Sequence, residues 1–348
     1  MASTLKGNQN AFLSFLGWFL SNKSEYVFER EPWQKQVFAN YISESSFIEN
    51  FNEYKNSKSI ELIEFKIEDY EKKDPKYLYP IVRLTDYVNQ NLKEFLKDFL
   101  IHGSISTLDY SKGWSDLDTL LIIKKEILRD PNKLINLRRH ILNMIPELYA
   151  IDPLQHHEFI ITTENALLHP SYSLLPSEAL NFSKSLFGNK SLKISRNREN
   201  KNSKKTILSI NNLFKKAFEV GYMDHHKQNN IALEDNFNNR NCMYQLKYFL
   251  SCIMTLPTYY LDSIGNSCYK KFSFENFYER SSIDLEILKK SSRIRELWPN
   301  MEQFPYEGNK IPEWICETLG NNYFERAYYF SSEIAKLTMN IKETENTN

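Results

Sequence analysis

The chain has 348 residues, 41% of them hydrophobic and 14% aromatic, which suffices for two or three cores and excludes a wholly disordered or fibrous protein. Its 44 basic and 44 acidic residues cancel, so a surface built to coat long nucleic acid is excluded and any RNA contact is local. The four cysteines, Cys242, Cys252, Cys268 and Cys316, are widely spaced and form no Cys-x-x-Cys pair, which fits reduced core thiols rather than a zinc site or a disulfide framework.

Residues 1–75 read as a mainly helical extension with aromatics around Trp18, Tyr26, Phe28 and Trp33. Within it, Ala11–Leu20 is an apolar run too short to span a bilayer and without a small-residue cleavage site. The expectation is a buried helix in a cytoplasmic protein that has no membrane partner. Apolar residues at Ile81, Leu84, Val88, Leu92 and Phe95 then recur at helical spacing.

Phe99-Leu-Ile-His-Gly-Ser104 reads as a short strand ending in Gly103-Ser104, where glycine permits close backbone approach and exposed N–H groups with a hydroxyl can hold phosphate. Leu117–Ile123 is apolar and β-branched enough for a buried strand. Side chains two apart on a strand project together, so Asp116 and Asp118 share a face while Leu117 and Thr119 point the other way. Two carboxylates side by side at the mouth of an apolar strand repel each other and lose solvation, and a divalent cation would neutralise them. The plainer alternative is an Asp-Leu-Asp at a strand end, solvated by water.

Asp130-Pro131 has the form of an N-cap followed by a first-turn proline. Leu134, Leu137, Ile141 and Met144 line one face of the helix it opens, which is expected to end near Pro146. Strand candidates follow at Leu148–Asp152 and His157–Thr163. Because His156 and His157 are adjacent, a strand would turn at most one of them into a site, where it could contact a nucleotide or shuttle a proton. Residues 183–206 read as a basic linker with eight Lys or Arg against Glu199, either a solvated connector or a segment that touches phosphates. Residues 207–348 read as a helical C-terminal domain, with apolar stripes at Ile210–Phe218 and at Leu246–Met254, the second ended by Pro257. Asp224-His225-His226 reads as a cap or surface cluster.

Gly103-Ser104 followed, after residues 105–115, by Asp116-Leu117-Asp118 resembles the nucleotidyltransferase superfamily, which includes DNA polymerase beta, poly(A) polymerases and the antibiotic-modifying nucleotidyltransferases. The resemblance covers about residues 80–180. It implies an α+β fold in which a small mixed sheet flanked by helices occupies residues 76–182. It also implies two Mg²⁺ ions, with Mn²⁺ as a substitute, held by Asp116, Asp118 and a third carboxylate. Asp152 is the preferred third acid, since a segment similar to Asp-Pro-Leu-Gln-His-His follows the catalytic strands in some bacterial members. Glu158 is the other candidate. Pro153 and His157 depart from the apolar flanks usual in the family.

By the same resemblance, Gly103 and Ser104 would contact the phosphates of a nucleoside triphosphate such as ATP. Ser115 either binds a phosphate oxygen or caps the strand start, and Lys270 and Lys271 either reach the triphosphate tail or form an ordinary surface pair. The implied activity moves a nucleoside monophosphate to a hydroxyl on RNA, a protein or a small molecule and releases pyrophosphate. The alternative is a catalytically inactive nucleotide-binding or interaction module of the same fold. The sequence leaves homodimerisation open.

Overall fold

The computed structural model describes residues 9–21, 32–44, 57–70, 75–152, 155, 157–169, 175, 177–195, 201–220, 222–225, 229–232, 242–266, 268–298 and 311–340. These fall into two compact units, one within Met1–Tyr110, Ser115–Leu175 and Ala179–Glu199, the other within Ser111–Trp114, Pro176–Glu178 and Asn200–Asn348. Both helices and strands are present, and the class is α+β with a small mixed sheet.

In chain order the first unit holds helices α1 (Gln9–Ser21) and α2 (Pro32–Ser43), strands β1 (Ser57–Glu61) and β2 (Ile63–Glu64), and helix α3 (Tyr79–Asn91). Strand β3 (Leu96–Ile101), a single helical turn (Gly103–Ser106), strand β4 (Thr119–Ile123) and helix α4 (Pro131–Ile151) follow. Strands β5 (Ile160–Thr163), β6 (Lys184–Ser185) and β7 (Ser191–Ser195) complete it. Five strands make one sheet in the order β2-β6-β3-β4-β5, and β1 pairs separately with β7.

Every residue of β4 is buried, as expected of a central strand covered on both faces. It runs antiparallel to β3 and parallel to β5, and the parallel step is bridged by α4. Leu134, Leu137, Ile141, Met144, Leu148 and Ile151 of α4 join one core with Ile81, Leu84 and Val88 of α3 and with Phe12, Leu13, Leu16, Phe19 and Leu20 of α1. The apolar run at Ala11–Leu20 is thus a buried helix. Among the described residues, no helix is long and apolar enough to cross a membrane.

Several local expectations need correction. Asp130 caps α4 as its sequence indicates, accepting from the Asn132 and Lys133 N–H groups. However, α4 continues through Pro146 to Ile151, so Leu148–Asp152 is helix and its C-cap rather than a strand. Leu148 and Ile151 keep the buried face going, and their burial outweighs the ~3 kcal/mol cost of an internal proline. Residues 57–64 are strands inside the extension read as helical. The stretch read as a linker supplies β6, β7 and the start of a long helix. Within it, Lys184 is buried against Asp69 at 2.8 Å and over the Tyr70 ring, so it contributes to folding and not to a mobile basic loop.

Strand β6 is held to β3 by a buried acid. Asp98, 1% exposed, accepts from the Phe99 N–H at 2.7 Å, from Ser185 Oγ at 2.7 Å and from Asn189 Nδ2 at 3.0 Å. Burial pushes the Asp98 pKa up, and the hydrogen bonds from Asn189 and Ser185 only partly oppose it. The folded protein therefore binds this proton more readily than the unfolded chain. The stabilisation that follows is complete below the unfolded pKa and is lost as pH rises through the folded one. Asp98→Asn should accordingly lose more stability relative to the wild type at pH 4 than at pH 7. Chemical denaturation at the two values checks this, and an equal deficit at both would refute it.

The second unit contains helices α5 (Lys201–Val220), α6 (Cys242–Ser263), α7 (Lys270–Ser281), α8 (Glu286–Leu297), α9 (Glu313–Leu319) and α10 (Tyr323–Asn340), with a backbone hairpin of β8 (Tyr222–His225) and β9 (Asn229–Ala232). Helix α6 also passes through its proline, Pro257, with Ile253, Met254, Leu256 and Leu261 buried around it. Phe214 stacks on Phe249 at 4.5 Å, and Ser331 and Ser332 both donate to Asn211 Oδ1. Ile210, Phe214 and Ala217 of α5 and Leu246, Phe249, Leu250, Ile253 and Met254 of α6 are therefore core, whereas Phe218 is exposed. Cys252, Cys268 and Cys316 are free thiols, Cys252 buried. The Cys242 side chain and the side chains of Asp224 and His225 lie outside the described residues, as does His226.

Candidate metal centre

Strand β4 begins only at Thr119, and Ser115–Asp118 leads into it as an extended arm. The His102 N–H donates to the Asp118 carbonyl at 3.0 Å, which carries the β3–β4 alignment one residue beyond the regular ladder. Leu117 is fully buried, and its N–H is accepted by Gln155 Oε1 at 3.3 Å. With Leu117 pinned inward, Asp116 and Asp118 emerge together on the opposite side. Both reach one imidazole: His157 Nε2 lies 3.0 Å from Asp118 Oδ1 and 3.4 Å from Asp116 Oδ2. One donor atom from each of Asp116, Asp118 and His157 lies within 4.8 Å of the other two.

The turn after β3 closes against Asp118. Gly103 has φ +70°, a conformation that L side chains rarely adopt. A Cβ built on it would stand 2.0 Å from Asp118 Oδ2. The glycine therefore lets the backbone pass against the Asp118 carboxylate, an approach no side chain would allow. Ser104 is the next residue of the same turn, half-buried, and its carbonyl accepts from the Asp109 N–H at 2.9 Å. Ser115 is buried, with its carbonyl accepting from the Tyr77 hydroxyl at 3.0 Å.

His157 is positioned from behind. Its Nδ1 lies 3.1 Å from Gln155 Nε2 and 3.1 Å from the Glu158 carbonyl oxygen. Gln155 Oε1 is committed to the Leu117 N–H, so the amide NH₂ faces the ring and suits an Nδ1 lone pair. The Glu158 carbonyl suits the other tautomer, in which Nδ1–H donates and Nε2 is free to ligate. Burial works against charge on this ring. The hydrogen bonds and charges of Asp116 and Asp118 outweigh it and hold the His157 pKa well above its ordinary value. An imidazolium between two carboxylates supplies positive charge where a cation would, and proton and cation compete for the same Nε2 lone pair.

The His102 side chain, next to the Gly103 turn, is 5% exposed. Burial is the largest influence on it and lowers its pKa, while Asp118 acts in the opposite direction. Its Nε2 is buried without a hydrogen-bond partner.

Of the residues singled out from the sequence, Gly103, Asp116 and Asp118 meet in this centre, with Ser104 and Ser115 next to them in the chain. The third donor is His157. Asp152 is fully buried at the C-cap of α4, and its carbonyl accepts from the Gln155 N–H. Glu158 is half-buried and offers its backbone carbonyl to His157. Neither carboxylate belongs to the converging group. Lys270 is half-buried at the first position of α7 in the second unit. The Lys271 side chain lies outside the described residues, as do Pro153 and His156. Gln155 and His102 went unread in the sequence, since a buried glutamine and a strand-end histidine carry no periodic signal. Family models, curated proteins and solved structures were compared with the chain, and none of them matches it.

Proposed function

We propose that the first unit is a metal-dependent nucleotidyltransferase core, which moves a nucleoside monophosphate from a nucleoside triphosphate to a hydroxyl acceptor. The observation that carries this reading is the convergence of Asp116, Asp118 and His157 Nε2 beside the Gly103-Ser104 turn. The donor set fits a small divalent cation. Its N···O separations of 3.0 and 3.4 Å match the roughly 3.0–3.4 Å between neighbouring ligands when bonds are about 2.1 Å long.

Asp116, Asp118 and His157 would hold the cation, and the Glu158 carbonyl would accept from Nδ1–H and keep Nε2 for it. When bound, the cation supplies charge that stabilises the anionic transition state of phosphoryl chemistry. Gly103 and Ser104 would take the phosphate tail, with Ser115 as a further phosphate contact. The acceptor oxygen bonds to the α-phosphorus as the bond to the β-phosphate breaks. The electron pair leaves on pyrophosphate, and the acceptor proton passes to solvent.

A second reading, an inactive nucleotide-binding module, is favoured by one observation: a histidine stands where the resemblance implies a third carboxylate. Pyrophosphate release separates the two. Each of the four ribonucleoside triphosphates, incubated with the full chain, Mg²⁺ or Mn²⁺ and a mixture of RNA, protein and small hydroxyl acceptors, should show release with at least one nucleotide. Saturable nucleotide binding with no release would establish the module instead.

A further inference from the structure

We infer that the centre is selective for a first-row transition-metal dication, with Mn²⁺ as the reference ion, over Mg²⁺; this rests on the reading of Asp116, Asp118 and His157 as metal ligands. Mg²⁺ is a hard cation that takes oxygen ligands and loses its water reluctantly. Imidazole nitrogen suits the later first-row dications far better, and a given site of mixed nitrogen and oxygen donors binds them in the order Mn²⁺, Fe²⁺, Co²⁺, Ni²⁺. Here one of the three donors that come within 4.8 Å of each other is a histidine nitrogen.

The imidazole is built into the centre. Gln155, 5% exposed, fixes the aspartate arm through the Leu117 N–H, and its amide nitrogen lies 3.1 Å from His157 Nδ1. With the Glu158 carbonyl 3.1 Å from Nδ1, a proton can sit on Nδ1 and leave Nε2 as a ligand lone pair, the arrangement usual for metal-bound histidine. A second feature adjoins the centre: His102 precedes Gly103 and its backbone N–H donates to the Asp118 carbonyl. The buried His102 Nε2 has no partner, and the charges that act on its ring are those of Asp118, His157 and Asp116. A polar atom left unsatisfied in such a position is what a bound ion with its remaining water ligands can satisfy.

The test uses the full chain and Mn²⁺ or Mg²⁺ alone, with no nucleotide. Equilibrium dialysis gives the two affinities, and pulsed electron paramagnetic resonance of the Mn²⁺ complex reports any directly bound ¹⁴N. We expect Mn²⁺ to bind at least about tenfold tighter than Mg²⁺ with clear ¹⁴N coupling. His157→Ala should abolish the coupling and weaken Mn²⁺ about 10- to 100-fold, with far-UV circular dichroism unchanged. His157→Asp, which turns the donor set into three carboxylates, should lower the Mn²⁺-to-Mg²⁺ preference. Should the alanine variant not fold, the wild-type spectrum and the aspartate variant still decide the matter. Equal affinities without ¹⁴N coupling would overturn the selectivity while leaving a metal-dependent transferase standing. No binding of either ion would overturn both.

Discussion

Asp118→Asn should abolish incorporation of α-labelled nucleotide while the protein stays folded. The substitution keeps the size and shape of the side chain, so the packing against Gly103 and the backbone bond from His102 N–H to the Asp118 carbonyl survive. What it removes is charge at the junction of the site. Asp118 is the carboxylate nearer His157 Nε2, at 3.0 Å, and the one over which the Gly103 turn closes. Losing one anionic ligand weakens the grip on a dication and misdirects its charge. The rate should fall about 10³-fold or more, or ~4 kcal/mol of barrier. A single-turnover assay with labelled nucleotide, paired with a thermal melt, reads both quantities. Wild-type turnover in the folded variant would sink the assignment of Asp118 as a ligand.

Gly103→Ala should damage the same site through the backbone. The residue would be held at φ +70°, and its Cβ would lie 2.0 Å from Asp118 Oδ2 and 2.9 Å from Asp118 Cγ. Conformational strain and overlap together should cost about 2–4 kcal/mol of stability. Relief comes most readily by pushing the Asp118 carboxylate out of place, and a displacement of order 1 Å costs about 100-fold in rate. Gly17→Ala is the control. Gly17 lies inside α1 with open space where its Cβ would go, and alanine there should be neutral or add up to ~1 kcal/mol. The check is to compare melting temperature and activity of the two variants. If Gly103→Ala behaves like Gly17→Ala, the close approach of turn and carboxylate is not required.

Local chemistry made part of this molecule legible from its sequence. Asp130-Pro131 opens α4 because a carboxylate and a proline suit the first turn, whatever lies further along the chain. Alternation along Asp116-Leu117-Asp118 was enough to place both acids on one side, since the burial of Leu117 enforces it. Long-range packing decides what could not be read. Pro146 and Pro257 are locally helix-breaking, yet the buried residues after each keep the helix running. Lys184-Ser185 carries no strand signal of its own. It becomes β6 because Asp98 and Asp69 wait for its two side chains on distant segments. The sequence could say that at most one of His156 and His157 enters a site. That His157 would complete the aspartate pair depends on the β4–β5 pairing and on Gln155 reaching Leu117, contacts between residues nearly forty positions apart.

In the folded chain the side chain that converges with Asp116 and Asp118 is His157, and neither Asp152 nor Glu158 belongs to that group. The two aspartates still reach one imidazole, and the Gly103 turn closes on Asp118.

The most direct measurement is a calorimetric titration of the full chain with Mn²⁺, run beside the Asp116→Asn/Asp118→Asn double variant at the same pH and ionic strength. One saturable site in the wild type, gone from a variant that melts normally, is the result expected if these aspartates and His157 form a cation site. Identical isotherms for the two proteins would contradict it.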